Sequence, residues 1–230
     1  MPLWVKDEAL PIVAGALTSD NISAKARAEG DKIFIAYDAV GPASAYVSAE
    51  VMLEFGARST GEPNEVRDVV CDAAAWVEEL EFPTARPRVM AAERTFWEKA
   101  TAIHVFCLQK RLRGDRFARH WHDLARLDDA GIAARALGDE DLARAVARHK
   151  TMFFAENTAE GDKVNYEAAV SGGLKLVPDG AALTALEKDY AAMIADGLLL
   201  ETAEPFATLM ERCKEIETRA NARGGSSDAS

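Results

Sequence analysis

The sequence lacks the features that would place the protein in a membrane or hold it together by disulfides. Apolar runs such as those at residues 192–194 and 197–200 are far too short to span a bilayer, and the first residues show no signal-peptide pattern. Three cysteines, Cys71, Cys107 and Cys213, stand at wide spacings that suit neither a disulfide framework nor a paired zinc site. We therefore expect a cytoplasmic protein with no membrane partner and with buried, small cysteines.

Positive charge is scarce overall but concentrated in one segment. The net charge of -11 argues against a general binder of polyanions. Residues 86–119 nevertheless hold nine basic and three acidic side chains, a local charge of +6 that leaves -17 for the remainder. Such a segment is either a solvated helix surface or a landing surface for the phosphates of a nucleotide or RNA, and the composition leaves both open.

The chain divides into two unlike parts. Alternating apolar residues predict two strands of one sheet at residues 32–37 and 49–55, separated by a Gly41-Pro42 break, and a weak strand at 66–70. Helices are predicted at 3–16 and 73–80, and then, in an almost wholly helical part, at 92–112, 116–127, 139–156, 180–197 and 204–219. The prediction is an α+β fold with a sheet-containing portion at 1–90, a helical bundle domain at 91–222 and a disordered tail at 223–230.

Two residues with possible chemistry lie in regular elements. Glu54 stands between Leu53 and Phe55 on a predicted strand, so it faces away from the core if those two face it. It is either an exposed strand glutamate or an oxygen ligand for a divalent cation. Lys99 lies beside the apolar stripe of its helix, where it either extends to solvent or pairs with Glu93, Glu98 or a bound phosphate.

A further cluster is the stretch Arg119-His120-Trp121-His122-Asp123 in a predicted helix. His120 and Asp123 share one face at i, i+3, and Arg119 shares a face with Asp123 at i, i+4. His120 and His122 point apart, which disfavours a metal site built from both. Of the two other histidines, His104 is predicted to lie in the core and His149 to be exposed.

Four ordered blocks resemble the AbiEii/AbiGii family of nucleotidyltransferase toxins. The central signature is Glu93-Arg94-Thr95-Phe96-Trp97-Glu98-Lys99-Ala100, followed 24 residues after Lys99 by Asp123. The segments Val51-Met52-Leu53-Glu54-Phe55-Gly56-Ala57-Arg58 and Leu186-Glu187-Lys188-Asp189-Tyr190-Ala191-Ala192-Met193 are similar to the same family in the same order. The resemblance covers residues 32–221.

This resemblance implies a fold, a reaction and roles for particular residues. The fold would be a partial polymerase-β-like nucleotidyltransferase sheet followed by a helical domain. The reaction would be transfer of a nucleoside monophosphate from an NTP, with Mg²⁺, to an acceptor such as tRNA, in a toxin–antitoxin or phage-defence (abortive infection) system. Glu54 would be a catalytic, metal-binding carboxylate and Asp123 a second catalytic acid, while Lys99, Arg119 and His120 would bind the nucleotide.

The family pattern begins with a Gly-Gly/Ser motif and an acidic pair before the strand that holds Glu54, and this sequence has neither there. Clustered carboxylates hold the metal ions that neutralise charge in phosphoryl transfer, so we expect the chain to be inactive by itself, as a truncated product or one part of a split gene. The competing hypothesis is a non-catalytic helical module that binds an antitoxin or another chain. An incomplete sheet would also favour self-association.

Overall fold

A computed structural model describes residues 1–39, 48–56, 58, 60–77, 79–112, 114–199 and 203–224 of the chain. They form an α+β protein with small antiparallel sheets and many helices, which confirms the predicted fold class. The contacts divide it into two compact units, Met1–Thr60 and Gly61–Ser230. The Gly41-Pro42 break lies outside the described residues.

The first unit contains a helical segment and a three-stranded antiparallel sheet. The helical segment consists of α1 (Pro2–Trp4), a π-helical turn (Val5–Ala9) and α2 (Leu10–Ser19). The sheet has the strand order β1 (Ala24–Glu29), β2 (Lys32–Tyr37) and β3 (Glu50–Glu54). The pairing of β2 with β3 confirms that the two predicted strands belong to one sheet.

Apolar packing holds the helical segment against this sheet. Val5, Ala9 and Ile33 are buried together, and Leu53 and Phe55 pack against them. Burial of such side chains contributes about 1.5–3 kcal/mol for each large one. The condition under which Glu54 faces away from the core, namely that Leu53 and Phe55 face it, is therefore met.

Strand edges remain open within the described part of this unit. There, β1 and β3 form the two edges of the sheet. Val51 and Met52 on β3 are both about half exposed. Open edges carry unpaired backbone groups that can pair with another chain, so self-association stays a prediction.

The second unit begins with a two-stranded ribbon and continues as a helical bundle. The ribbon pairs β4 (Asn64–Val66) with β5 (Arg88–Met90), with a 3₁₀ turn at Asp72–Ala75 between them. The helices are α3 (Ala92–Gln109), α4 (Arg119–Asp129), α5 (Ile132–Gly138), α6 (Glu140–Phe153), α7 (Tyr166–Ala168) with a π-helical continuation (Ala169–Gly173), α8 (Gly180–Ala195) and α9 (Phe206–Gly224). No described helix has the length and apolar character needed to cross a bilayer.

The sequence places a domain boundary at residues 90 and 91, whereas the compact units divide at Thr60 and Gly61. Hydrogen bonds tie the ribbon to the start of α3, because the Ala91 N–H donates to the Pro63 carbonyl and Arg94 Nη1 donates to the Glu62 carbonyl, each at 2.8 Å. At the other end, α9 continues to Gly224 and so takes in the first two residues of the predicted tail. Residues 225–230 lie outside the described part.

Several local predictions differ from the structure. The helix predicted at 73–80 is only the 3₁₀ turn at Asp72–Ala75, and of the strand predicted at 66–70 only Val66 belongs to β4. The prediction that all cysteines are buried is wrong for Cys71, which is exposed in the ribbon connection before that turn. Cys107 and Cys213 are buried as predicted, and burial raises the pKa of the Cys213 thiol to about 12.

Candidate active site

Helix α3 holds Lys99 at the margin of its buried face. Phe96, Ala100 and Ile103 are fully buried, because they recur at helical spacing along the face that packs into the core. Lys99 lies between these positions and keeps 22% of its side chain exposed. Its aliphatic part is therefore covered while its ammonium group reaches the surface of the bundle.

The ammonium group of Lys99 binds a carboxylate on the neighbouring helix. Lys99 Nζ donates to Asp123 Oδ2 at 2.6 Å, so two of the candidate site residues are in direct contact. Glu93 and Glu98, the two carboxylates considered as partners of Lys99, bind other cations instead. Glu93 accepts from Arg135 at 2.7 Å, and Glu98 pairs with Arg94 and Lys150. The contact joins α3 to α4 across 24 residues of sequence.

Asp123 keeps part of its carboxylate available. Its side chain is 39% exposed, and its second oxygen, Oδ1, accepts no hydrogen bond from the described residues. Ion pairs at this degree of exposure are worth only about 0.2–1 kcal/mol. A ligand of greater negative charge can therefore displace Asp123 from Lys99 at small cost.

Glu98, next to Lys99 in sequence, organises a more buried network. Its two oxygens bind Arg94 Nη2 at 3.1 Å and Lys150 Nζ at 2.5 Å. His149 Nδ1 lies 3.4 Å from the same Arg94 nitrogen and is buried, so the prediction of an exposed His149 is wrong. The reason is that His149 falls on the inward face of α6, three residues after buried Val146.

His120 lies close enough to Lys99 for its charge to affect the ring. Burial is the main cause that lowers the pKa of His120 to about 4, and the charges of Lys99 and Arg119 lower it further. The ring is therefore neutral near pH 7. Its Nδ1 is buried without a hydrogen-bond partner in the described structure.

The start of α4 is fixed by a residue from α8. Asp189 accepts hydrogen bonds from the backbone N–H groups of Arg116 at 2.8 Å and Ala118 at 2.7 Å. Arg116 itself has a left-handed φ of 62°, which turns the chain into the helix. Sequence reasoning noted the segment around Asp189 but missed this role, because nothing local connects residues 71 positions apart.

Asp123 also lines a cavity of about 550 Å³, called the α4 cavity below. Its lining consists of one face of α4 and apolar side chains from the end of α8 and the segment after it: Arg116, Arg119, His122, Asp123, Arg126, Met193, Leu198 and Leu199. Sequence reasoning missed this basic face, although its arginines recur at helical spacing. Arg119 is exposed and forms no hydrogen bond or ion pair with the described residues.

A family model described as nucleotidyl transferase AbiEii toxin, type IV TA system, matches residues 6–212. The chain belongs to this family. The match begins well before residue 32, where the four sequence blocks placed the start of the resemblance. No curated protein and no solved structure matches the chain significantly.

Membership of the AbiEii family establishes a nucleotidyltransferase-like protein of a type IV toxin–antitoxin system. It also gives the basis for an antitoxin partner. Lys99 and Asp123, two of the residues singled out by the sequence resemblance, are in direct contact within the second unit.

Glu54 lies at the end of β3 in the first unit of this AbiEii-family chain. It is opposite Lys32 in the β2–β3 register, and Lys32 Nζ lies 3.7 Å from its Oε2. The Glu54 side chain is 58% exposed. This geometry agrees with an exposed strand glutamate, and the assignment of Glu54 as a metal-binding, catalytic carboxylate stays a prediction.

The described side chains can be compared with the set of oxygen ligands that Mg²⁺ needs. Among the described residues, no group of three or more His, Cys, Asp or Glu side chains is arranged to hold a metal ion. Mg²⁺ requires several oxygen ligands in near-octahedral geometry, and Asp123 alone does not supply them. A resident Mg²⁺ beside Asp123 would therefore need oxygen ligands from elsewhere.

Proposed function

We propose that this AbiEii-family protein binds a nucleoside triphosphate through Lys99 and that Lys99 and Asp123 take part in transfer of a nucleoside monophosphate to an acceptor such as tRNA. The supporting observation is the 2.6 Å pair between Lys99 Nζ and Asp123 Oδ2 at the surface of the bundle. A lysine held at the margin of a core, with an exchangeable anionic partner, suits a triphosphate site.

Binding would proceed by exchange of partners. In the free protein Asp123 occupies the ammonium group of Lys99. A triphosphate carries several negative charges and strong acceptor oxygens, so it competes well for that group. Once Lys99 has turned to a phosphate, Asp123 is released to accept a proton.

The transfer itself would balance as follows. The oxygen of an acceptor hydroxyl forms a bond to the α-phosphorus, the bond from that phosphorus to the bridging oxygen of the β-phosphate breaks, and pyrophosphate leaves. The hydroxyl proton passes to the released carboxylate of Asp123. Lys99 stabilises the charge that develops on the phosphates, and the neutral ring of His120 lies next to it.

These 230 residues are proposed to bind triphosphate without transferring a nucleotide by themselves. No Asp-x-Asp pair precedes Glu54, and phosphoryl transfer in such folds depends on carboxylate-held Mg²⁺. A nucleotide-binding role of Arg119 is proposed as well, in the α4 cavity that it lines.

The test compares two lysines that differ mainly in position. Lys110 pairs with Glu160 at 2.7 Å, much as Lys99 pairs with Asp123 at 2.6 Å, but Lys110 is 56% exposed and lies outside the blocks of the family signature. We expect Lys99→Ala to weaken triphosphate binding at least about tenfold and Lys110→Ala by less than about twofold, in isothermal titration at low salt. Wild-type binding should weaken as salt rises, since the Debye length shrinks to about 8 Å near physiological ionic strength.

If both variants lose triphosphate affinity equally, the basic segment acts only as diffuse surface charge and Lys99 has no special role. A separate incubation with labelled nucleoside triphosphates and total tRNA tests transfer. Label incorporated by the 230-residue chain alone would show that the missing acidic pair is not required.

A second candidate function, binding of a partner chain such as an antitoxin, is favoured by the ribbon at residues 64–90. Within its described part, several large apolar side chains are exposed, and Trp76 is 87% exposed. An apolar surface of this kind is typical of protein–protein contacts. Binding of a purified cognate antitoxin should shift Trp76 fluorescence to shorter wavelength, and Trp76→Ser should weaken the complex; an unchanged affinity would remove the ribbon from the interface.

A further inference from the structure

The α4 cavity offers a second set of nucleotide-binding features beside the pair formed by Lys99 and Asp123. Asp123 belongs to both, because it accepts from Lys99 and also lines the cavity. We infer that the α4 cavity binds a second nucleotide, with its phosphate at Arg119 and its base against Leu198 and Leu199. The inference rests on the proposed function, in which the triphosphate occupies Lys99.

The charge of the cavity favours an anion. Asp123 is neutralised by Lys99, and Arg126 is paired with Asp129 at 3.1 Å and with Glu204 at 3.4 Å. Arg119 remains as an exposed guanidinium group that no described residue occupies. Its planar fork of N–H donors matches the geometry of a phosphate oxygen pair, which a lysine would not offer.

His122 contributes a mostly buried ring to the lining of the cavity. It lines the cavity, only 8% of the residue is exposed, and its Nδ1 has no hydrogen-bond partner in the described structure. Burial, followed by the charge of Arg126, lowers the pKa of His122, so the ring is neutral near pH 7.

The apolar part of the cavity lining suits a planar, weakly polar group. Met193 is buried, while Leu198 and Leu199 are partly exposed and pack against the core of the bundle. The volume of about 550 Å³ lies within the range of about 300–1,000 Å³ that is usual for small-molecule sites. A cavity lined by both arginine and apolar side chains fits a nucleoside monophosphate better than an isolated phosphate ion.

The test is isothermal titration of the full chain with a nucleoside monophosphate, with inorganic phosphate and with the unphosphorylated nucleoside. We expect the monophosphate to bind more tightly than either part alone. Arg119→Gln should weaken monophosphate binding at least about tenfold, as loss of a charge-assisted contact predicts. The matched control is Arg148→Gln, because Arg148 is also exposed and without a partner among the described residues, but lies on α6.

Leu199→Ser should weaken binding of the monophosphate and leave inorganic phosphate unchanged, since only the former uses the apolar wall. Monophosphate should still bind, but more weakly, when a non-hydrolysable triphosphate saturates the chain, because Asp123 has then lost Lys99 as its partner. If the triphosphate abolishes monophosphate binding, or if Arg119→Gln weakens both ligands equally, there is one site and the inference is overturned. If instead Lys99→Ala leaves triphosphate affinity unchanged while Arg119→Gln still weakens the monophosphate, the Lys99 assignment fails and the cavity remains a nucleotide site.

Discussion

Replacement of Asp123 by asparagine should strengthen triphosphate binding rather than weaken it. Asp123 holds the ammonium group of Lys99 at 2.6 Å, so a triphosphate must displace it. Asparagine keeps the shape of the side chain but removes the negative charge that competes for Lys99. The exchange therefore becomes easier.

The size of this effect follows from the exposure of the pair. Asp123 is 39% exposed, so solvent screens the pair and its worth is at most about 1 kcal/mol. Removal of that competition corresponds to roughly fivefold tighter binding. Titration with a non-hydrolysable triphosphate in the presence of a chelator measures the contribution of the protein cations alone.

A matched control removes the same charge from the same helix. Asp128 binds Arg219 Nη2 at 2.7 Å, and its side chain is 22% exposed. Asp128→Asn changes the net charge equally but does not release Lys99, so its effect should remain below about twofold. If Asp123→Asn weakens binding as much as Lys99→Ala does, Asp123 itself holds the ligand and the exchange argument is refuted.

Three further predictions concern stability and reactivity. Glu98→Ala leaves two poorly exposed cations, Arg94 and Lys150, without their carboxylate, so it should lower the free energy of unfolding by about 3–5 kcal/mol in urea titrations. Glu93→Ala breaks the more exposed pair with Arg135 and should lower it by less than about 1 kcal/mol. Burial lowers the pKa of His104 to about 4, so the unfolded chain binds its proton more tightly, and the contribution of His104 to stability should be complete above about pH 6.5 and fall by on the order of 3 kcal/mol as the pH drops to 4. His120, whose pKa is also about 4, adds a slope of its own, so His104→Gln should reduce the pH dependence in fluorescence-monitored denaturation without abolishing it, and an equal slope would contradict the burial argument. A thiol reagent should modify one cysteine, Cys71, in the native protein and all three in denaturant, and rapid labelling of two or more in the native state would contradict the burial of Cys107 and Cys213.

Elements with strong local patterns could be predicted from the sequence. The predicted bounds of β2 agree with the structure, because Lys32–Tyr37 combines alternation with strand-forming residues. The buried face of α3 could also be predicted from its repeating apolar positions, although the helix ends at Gln109, where Lys110 adopts a left-handed conformation, rather than at residue 112. Long periodic segments carry this information locally.

Elements that depend on tertiary packing could not be predicted from the sequence. Strand β1 consists of Ala24–Glu29, a segment of helix-forming residues, and it is extended because Ala26 and Ala28 pack into the small core beside β2. Helix α5 is only seven residues long and is stabilised by burial of Ala133 and Ala136. Helices this short are not stable without such contacts.

The candidate site shows the same division. The sequence singled out Lys99 and Asp123 through a family resemblance, but their contact depends on how α3 and α4 cross. The burial of His149 could have been read from its spacing to Leu142 and Val146 on α6, a signal that its charged neighbours obscured. The role of Asp189 required knowledge of which helix ends meet.

The central claim is that Lys99 exchanges Asp123 for a phosphate. A crystal structure of the chain with a non-hydrolysable nucleoside triphosphate tests it most directly. The account predicts that Lys99 Nζ leaves Asp123 Oδ2, now 2.6 Å away, and lies within about 3 Å of a phosphate oxygen. A bound triphosphate with the pair between Lys99 and Asp123 intact, and with its phosphates on other residues, would contradict it.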